Sequence, residues 1–133
     1  MASGRPRVAI VDDDTSVRRA LARLLNASSF DATTFESGQA FLDSLSANTP
    51  DVVVLDLHMP GMNGLDVLAA LSRARMALPV IMITGHASPE TQARCQAAGA
   101  VAYLGKPLDQ ATFLQAAADA AAAGSRGSSP RPG

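Results

Sequence analysis

The sequence predicts a doubly wound α/β domain, an open five-stranded parallel sheet with helices on both faces. Two observations carry that expectation. Five short apolar runs alternate with segments of helical spacing, the order that builds strand–helix–strand units. The first, third and fourth runs are nearly continuous in aliphatic residues, as parallel strands covered on both faces require. Right-handed crossovers then place ligands beyond the carboxyl ends of the strands, where the strand order reverses.

The elements follow in order. Val8–Val11 is the first strand, and Asp14, ahead of Thr15 and Ser16, suits the N-cap of the helix after it. In that helix Val17, Ala20, Leu21, Leu24 and Leu25 share one face, with Arg18, Arg19 and Arg23 expected to point away. Phe30–Phe35 is the second strand; Phe41, Leu42 and Leu45 form a short stripe after Ser37. Val52–Leu55 is the third strand, and the turn residues Gly61 to Gly64 open a helix carrying Leu65, Leu68, Leu71 and Ser72. Val80–Ile83 is the fourth. Ser88-Pro89-Glu90 then starts a helix, with Pro at its first position. Its inward face is expected to be mostly Ala93, Ala97 and Ala98, with Cys95. Such small side chains bury little area and should hold that helix weakly. Val101–Leu104 is the fifth strand. Asp109 suits the N-cap of a last helix with Phe113, Leu114, Ala117, Ala118 and Ala121.

Bulk properties bound the function. The chain has 133 residues, 47% hydrophobic and 17% charged, enough for one folded domain. A net charge of -1 gives no support for a nucleic-acid or membrane partner. One cysteine, Cys95, cannot form an internal disulfide, and no apolar run is long enough for a bilayer, so a cytoplasmic location is expected. Residues 1–6 read as a disordered start, 7–123 as the domain, and 124–133 (GSRGSSPRPG) as a flexible tail or linker.

The chemistry sits at the strand ends. Asp12, Asp13 and Asp14 follow the first strand, Asp56 the third, Thr84 the fourth and Lys106 the fifth. Any one of these suits a cap or a solvated loop; their convergence on one sheet edge does not. Two like charges about 4 Å apart repel by about 4 kcal/mol at an effective dielectric near 20. Asp12, Asp13 and Asp56 therefore call for a protonated carboxyl or a divalent cation, because Lys106 offsets one charge only. Hard oxygen donors, without a cysteine or histidine pair at ligand spacing, favour Mg²⁺ over Zn²⁺. A carboxylate left free beside Mg²⁺ points to metal-assisted phosphoryl transfer. Lys106 would then pair with a phosphoryl oxygen and Thr84 donate to another, while the His58 carbonyl is placed to be a metal ligand. Lys106–Pro107 is an X–Pro bond at the site, suited to a cis peptide.

VDDD (Val11–Asp14), LDLHMPGMNG (Leu55–Gly64), ITGH (Ile83–His86) and YLGKP (Tyr103–Pro107) closely resemble the motifs of response-regulator receiver domains of two-component systems. The resemblance runs in order over about residues 7 to 122. The surroundings of MITGHAS and AGAVAYLGKP are most similar to receivers of the nitrogen-fixation regulator class, which usually carry a helix-turn-helix output domain. It implies a flavodoxin-like (βα)5 sheet of order 2-1-3-4-5. It also implies that Asp56 takes a phosphoryl group from a phosphohistidine of a sensor kinase or phosphotransfer protein. Asp13, Asp56 and the His58 carbonyl would hold Mg²⁺, with Asp12 acting through a bound water. Thr84 and Lys106 would contact the phosphoryl group. Tyr103 would be the switch residue, turning inward as Thr84 moves toward the phosphate. The fourth helix, fifth strand and fifth helix would form the output face, with a phosphorylation-dependent homodimer as one outcome. His58 and His86, two residues after Asp56 and Thr84, stand where the family varies and should affect how long the acyl phosphate lasts.

Bland alternatives stand beside these. His58 and His86 are less expected as a metal pair than as solvated or hydrogen-bonded loop histidines; Cys95 suits a small helical filler, and Arg18, Arg19 and Arg23 a solvated face or a kinase-docking one. A metal-dependent phosphatase with Asp56 as nucleophile is a competing function, but such enzymes need a substrate-enclosing cap that this chain does not obviously offer. A pseudo-receiver that only binds partners is a third, opposed by the complete set of polar residues.

Overall fold

Strand-forming runs and capped helices alternate along the chain, and each apolar face finds a partner in the next layer. The structure, a computed structural model, describes residues 4–128, with side chains described through residue 123. Among the described residues five strands alternate with five helices: β1 (Arg7–Val11), α1 (Thr15–Ala27), β2 (Asp31–Phe35), α2 (Gly38–Ser44), β3 (Val52–Asp56), α3 (Gly64–Arg73), β4 (Val80–Thr84), α4 (Pro89–Ala97), β5 (Ala102–Gly105) and α5 (Gln110–Ser128). The sheet is parallel throughout, in the order β2-β1-β3-β4-β5. That is the doubly wound order expected.

The central strands β3 and β4 are buried at every position, which explains why their sequences do not alternate. One sheet face packs Val11, Val53, Leu55 and Met82 against Phe41, Val67 and Leu71 of α2 and α3. The other packs Ile10, Val54, Ile81 and Ile83 against Leu21, Leu25, Phe113 and Ala117 of α1 and α5. The helix starts use the expected caps. Asp14 accepts from the Ser16 and Val17 N–H groups, Ser37 from Ala40, Ser88 from Thr91, and Asp109 from Thr112. Asn63 forms a reciprocal capping box with Asp66.

Several expectations are corrected. Residues 1–3 and 129–133 lie outside the described residues, so the terminal assignments there are not addressed. Arg5 and Pro6 are not a loose start: the Arg5 guanidinium donates to the Asn26 and Phe30 carbonyls, and the Pro6 carbonyl accepts from Asp31 N–H. The helix does not stop at Ala123 but continues to Ser128, the alanine run carrying it across Gly124. In α4, Ala93, Ala97 and Ala98 are exposed, and Cys95 is the one fully buried side chain. Helix periodicity puts Cys95, two residues from both Ala93 and Ala97, on the opposite, inward face. Ala20 and Ala118 are likewise exposed, and Ala120 takes a buried place in α5. Val101 lies just before β5 and is 58% exposed.

Candidate functional site

The site is assembled by sheet register. Val11 pairs with Leu55 across β1 and β3, so Asp12 comes level with Asp56. Asp56 pairs with Ile83, and Thr84 pairs with Gly105, which puts Lys106 one residue beyond. Backbone bonds extend these ladders past the strand ends: Leu57 N–H donates to the Ile83 carbonyl at 2.9 Å and Lys106 N–H to the Thr84 carbonyl at 2.7 Å. The polar side chains are therefore mounted on the rigid part of the molecule.

Gly64 shows how tightly the floor is built. A Cβ there would stand 2.9 Å from the Asp56 carbonyl oxygen and 2.7 Å from Met82 Sδ. Only a residue without a side chain lets α3 begin directly beneath the Asp56–Leu57 backbone. Gly61, at φ +79, makes the left-handed turn that brings the chain back to that helix.

Asp12 and Thr84 are fully buried, Asp56 is 4% exposed and Asp13 is exposed. Carboxylate oxygens of Asp12, Asp13 and Asp56 lie within 4.8 Å of one another. Lys106 Nζ donates to Asp12 Oδ2 at 3.0 Å and stands 3.6 Å from Asp56 Oδ1. Asp12 also accepts the Asp14 N–H at 2.9 Å, whereas Asp56 accepts a long bond, 3.4 Å, from His58 N–H. The lysine thus serves Asp12 first. The consequence falls on Asp56: burial, then the Asp12 charge, push its carboxyl up from 3.8 to about 6 despite Lys106. Burial alone would weaken the hold of Lys106 on its proton. The hydrogen bond to Asp12 and the charges of Asp56 and Asp12 outweigh it, so the ammonium is held above its ordinary value.

The remaining expected residues lie around this core. Thr84 Oγ1 accepts the His86 N–H at 3.0 Å, and a hydroxyl retains the ability to donate. The Lys106–Pro107 peptide is cis. Tyr103 is half-buried, its hydroxyl accepting the Ser88 N–H at 3.2 Å, fifteen residues away at the start of α4. His58 and His86 are exposed at the rim and meet edge to face, centroids 5.5 Å apart.

One contributor escaped the sequence. Arg18 does not point away: its guanidinium donates to the Asp12 carbonyl at 2.7 Å and to Thr15 Oγ1 at 3.1 Å. It fixes the peptide joining Asp12 to Asp13. The signal was its place one turn after the Asp14 cap, where a long side chain reaches back over the loop. An outward helical position concealed it.

A donor set made of carboxylate oxygens, one of them exposed at the mouth, fits a hard divalent cation. Among the described residues no helix is long and apolar enough to cross a membrane.

Residues 8–118 match the family model described as the response regulator receiver domain. The chain is 44% identical over 100 residues to the DNA-binding transcriptional regulator NtrC of Klebsiella pneumoniae, covering 75% of this chain and 21% of that protein. It is 34% identical over 100 residues to the transcriptional regulatory protein FixJ of Bradyrhizobium diazoefficiens, covering 75% of this chain and 49% of that one. It therefore spans about a fifth of the first relative and about half of the second. Among solved structures, a response regulator receiver protein from Burkholderia phymatum superposes with a TM-score of 0.79 at 44% identity, over 89% of this chain and 96% of that one. Sheet order and sequence agree, and the chain belongs to the response regulator receiver domains of two-component systems, in the company of the NtrC and FixJ receivers.

Proposed function

We propose that Asp56 accepts a phosphoryl group from a phosphohistidine of a sensor kinase or phosphotransfer protein, and that its later loss resets the switch. The observation that carries this reading is the state of the Asp56 carboxyl. It is almost buried, pushed up to about 6, and left by Lys106 as the less satisfied of two neighbouring carboxylates. Such a group gains from any change that spreads or neutralises its charge.

Mg²⁺ is the cofactor this donor set suits, with Asp13, Asp56 and the His58 carbonyl to hold it and Asp12 acting through a bound water. When bound, the ion offsets the carboxylate charges and those of a transferring phosphoryl group. The chain's own residues do the rest. An Asp56 carboxylate oxygen attacks phosphorus; the phosphorus–nitrogen bond of the donor breaks and its electron pair returns to the imidazole. Lys106, 3.6 Å from Asp56, pairs with a phosphoryl oxygen, and the Thr84 hydroxyl donates to another. Reset is attack of water on phosphorus, which releases orthophosphate and restores the carboxylate. The chain is a signalling module, and its only chemistry is on its own side chain.

Propagation follows from two hydrogen bonds. Movement of Thr84 toward a phosphoryl oxygen draws its hydroxyl from the His86 N–H, and inward rotation of Tyr103 frees the Ser88 N–H. Both bonds anchor the loop into α4, which holds to the core by Cys95 alone as a fully buried residue. A helix so lightly attached suits two arrangements of similar energy. The α4–β5–α5 face, with Val101 exposed beside it, is therefore the output surface, through protein contacts, a phosphorylation-dependent homodimer or a linked output domain like that of the DNA-binding relatives. This domain itself does not contact nucleic acid in that scheme.

The test is incubation with acetyl phosphate and Mg²⁺, then intact mass and peptide mapping. One added phosphoryl group on Asp56, absent in Asp56→Asn, is expected; no adduct, or an equal adduct in the variant, overturns the reading.

A further inference from the structure

The chain's two histidines meet at the rim of the site. Each is exposed, and each is anchored through its own backbone to a reacting group. His58 N–H donates to Asp56 Oδ1 at 3.4 Å, and His86 N–H to Thr84 Oγ1 at 3.0 Å. One ring comes from the loop after β3 and the other from the loop after β4, so nothing in the sequence spacing joins them.

We propose that His58 and His86 form a second cation site, for a borderline divalent transition-metal ion such as Zn²⁺, bridging the two loops across the mouth. The separation is the first argument. With metal–nitrogen bonds of about 2.0–2.1 Å, a ligating imidazole centroid sits about 3.2 Å from the ion, and two such rings at a tetrahedral angle stand about 5.2 Å apart. The rings here stand 5.5 Å apart. Rotation of the exposed side chains about their Cβ–Cγ bonds would turn ring nitrogens toward the ion, and water would complete the coordination. Chemistry is the second argument. Imidazole suits Zn²⁺, Ni²⁺ and Cu²⁺, whereas Mg²⁺ prefers oxygen donors, so the two kinds of ion sort between the histidine pair and the acidic cluster below it.

The consequence concerns access. An ion joining the rings ties the loops whose backbones hold Asp56 and Thr84, and stands in the path by which a phosphodonor or water reaches the carboxyl. This part rests on the phosphorylation reading above; the binding itself does not.

The experiment is calorimetric titration of the full chain with ZnCl₂ under a large excess of Mg²⁺, with the imidazole resonances followed by NMR. One Zn²⁺ site is expected, with both histidine ring signals shifting together, and a loss in affinity of about tenfold or more in His58→Asn and in His86→Asn. Exposed loop positions make both variants foldable, which circular dichroism checks. Unchanged affinity in the double variant, or shifts of neither ring, overturns the site, whatever acetyl phosphate does to Asp56. Separately, Zn²⁺ should slow acetyl-phosphate labelling in the parent chain and not in the double variant; equal slowing in both overturns the bridging role.

Discussion

Replacing Asp56 with asparagine should stabilise the cation-free fold, by an amount that depends on pH in a defined way. The folded carboxyl titrates at about 6 against 3.8 for an ordinary one. A raised folded value means that protonation favours the fold: the associated stability is fully present below the unfolded value and is lost as pH rises through about 6. That difference is worth about 3 kcal/mol, which is the cost of the ionised group near pH 7.5. The asparagine side chain never ionises, so Asp56→Asn should exceed the parent by up to about 3 kcal/mol near pH 7.5 in Mg²⁺-free buffer with chelator. Near pH 5 the parent recovers about 1 kcal/mol of this by protonation, and near pH 4 about 2 kcal/mol, so the gap should close as the solution is acidified. Taking the difference between two chains cancels other titrating groups, such as Asp109, whose hydrogen bonds to Thr112 hold it below its ordinary value. Urea unfolding followed by circular dichroism is the assay, because the chain has no tryptophan and one tyrosine. A variant less stable than the parent near pH 7.5, or a gap that does not shrink toward acid, would refute the argument that Asp56 carries the strain of the cluster.

Further outcomes follow from the same geometry. Gly64→Ala drives a methyl group against the Asp56 carbonyl and Met82 and should cost about 1–3 kcal/mol, read as a shift in urea midpoint without change in slope. Tyr103→Phe removes the acceptor of the Ser88 N–H and should cost about 0.5–1.5 kcal/mol, with hydrogen exchange accelerated in α4 and unchanged in α1. Mg²⁺ should raise the melting temperature of the parent chain and have little effect on Asp13→Asn; an equal rise in both would remove Asp13 from the ion's ligands. Arg18→Ala frees the Asp12–Asp13 peptide and should weaken Mg²⁺ binding several-fold, about 1 kcal/mol, with Arg18→Lys intermediate, measured by calorimetry.

The cluster also shows where sequence-level electrostatics stops. Three carboxylates and one lysine at neighbouring strand ends predict a strained site, and relief on removing charge at Asp12 or Asp13 is the natural expectation. The folded geometry assigns the strain elsewhere. Asp12 is fully buried yet holds Lys106 at 3.0 Å and the Asp14 N–H at 2.9 Å, so neutralising it would strand the lysine. Asp13 has water. Asp56, buried and more distant from the ammonium, is the unfavourable one.

By itself the sequence determined the alternation of strands and helices, the helix caps, and the identity of the polar residues at the strand ends. These are local or periodic properties: aliphatic runs, a cap before a helical stripe, a side chain one residue past a strand. Only the tertiary structure decided the pairings among them. Lys106 chooses Asp12 over Asp56 across ninety-four residues, Arg18 folds back onto the Asp12 carbonyl, Cys95 rather than the alanines anchors α4, and His58 meets His86 at the rim. The lysine and histidine pairings depend on distances between strands that sheet register sets, and no spacing along the chain encodes them.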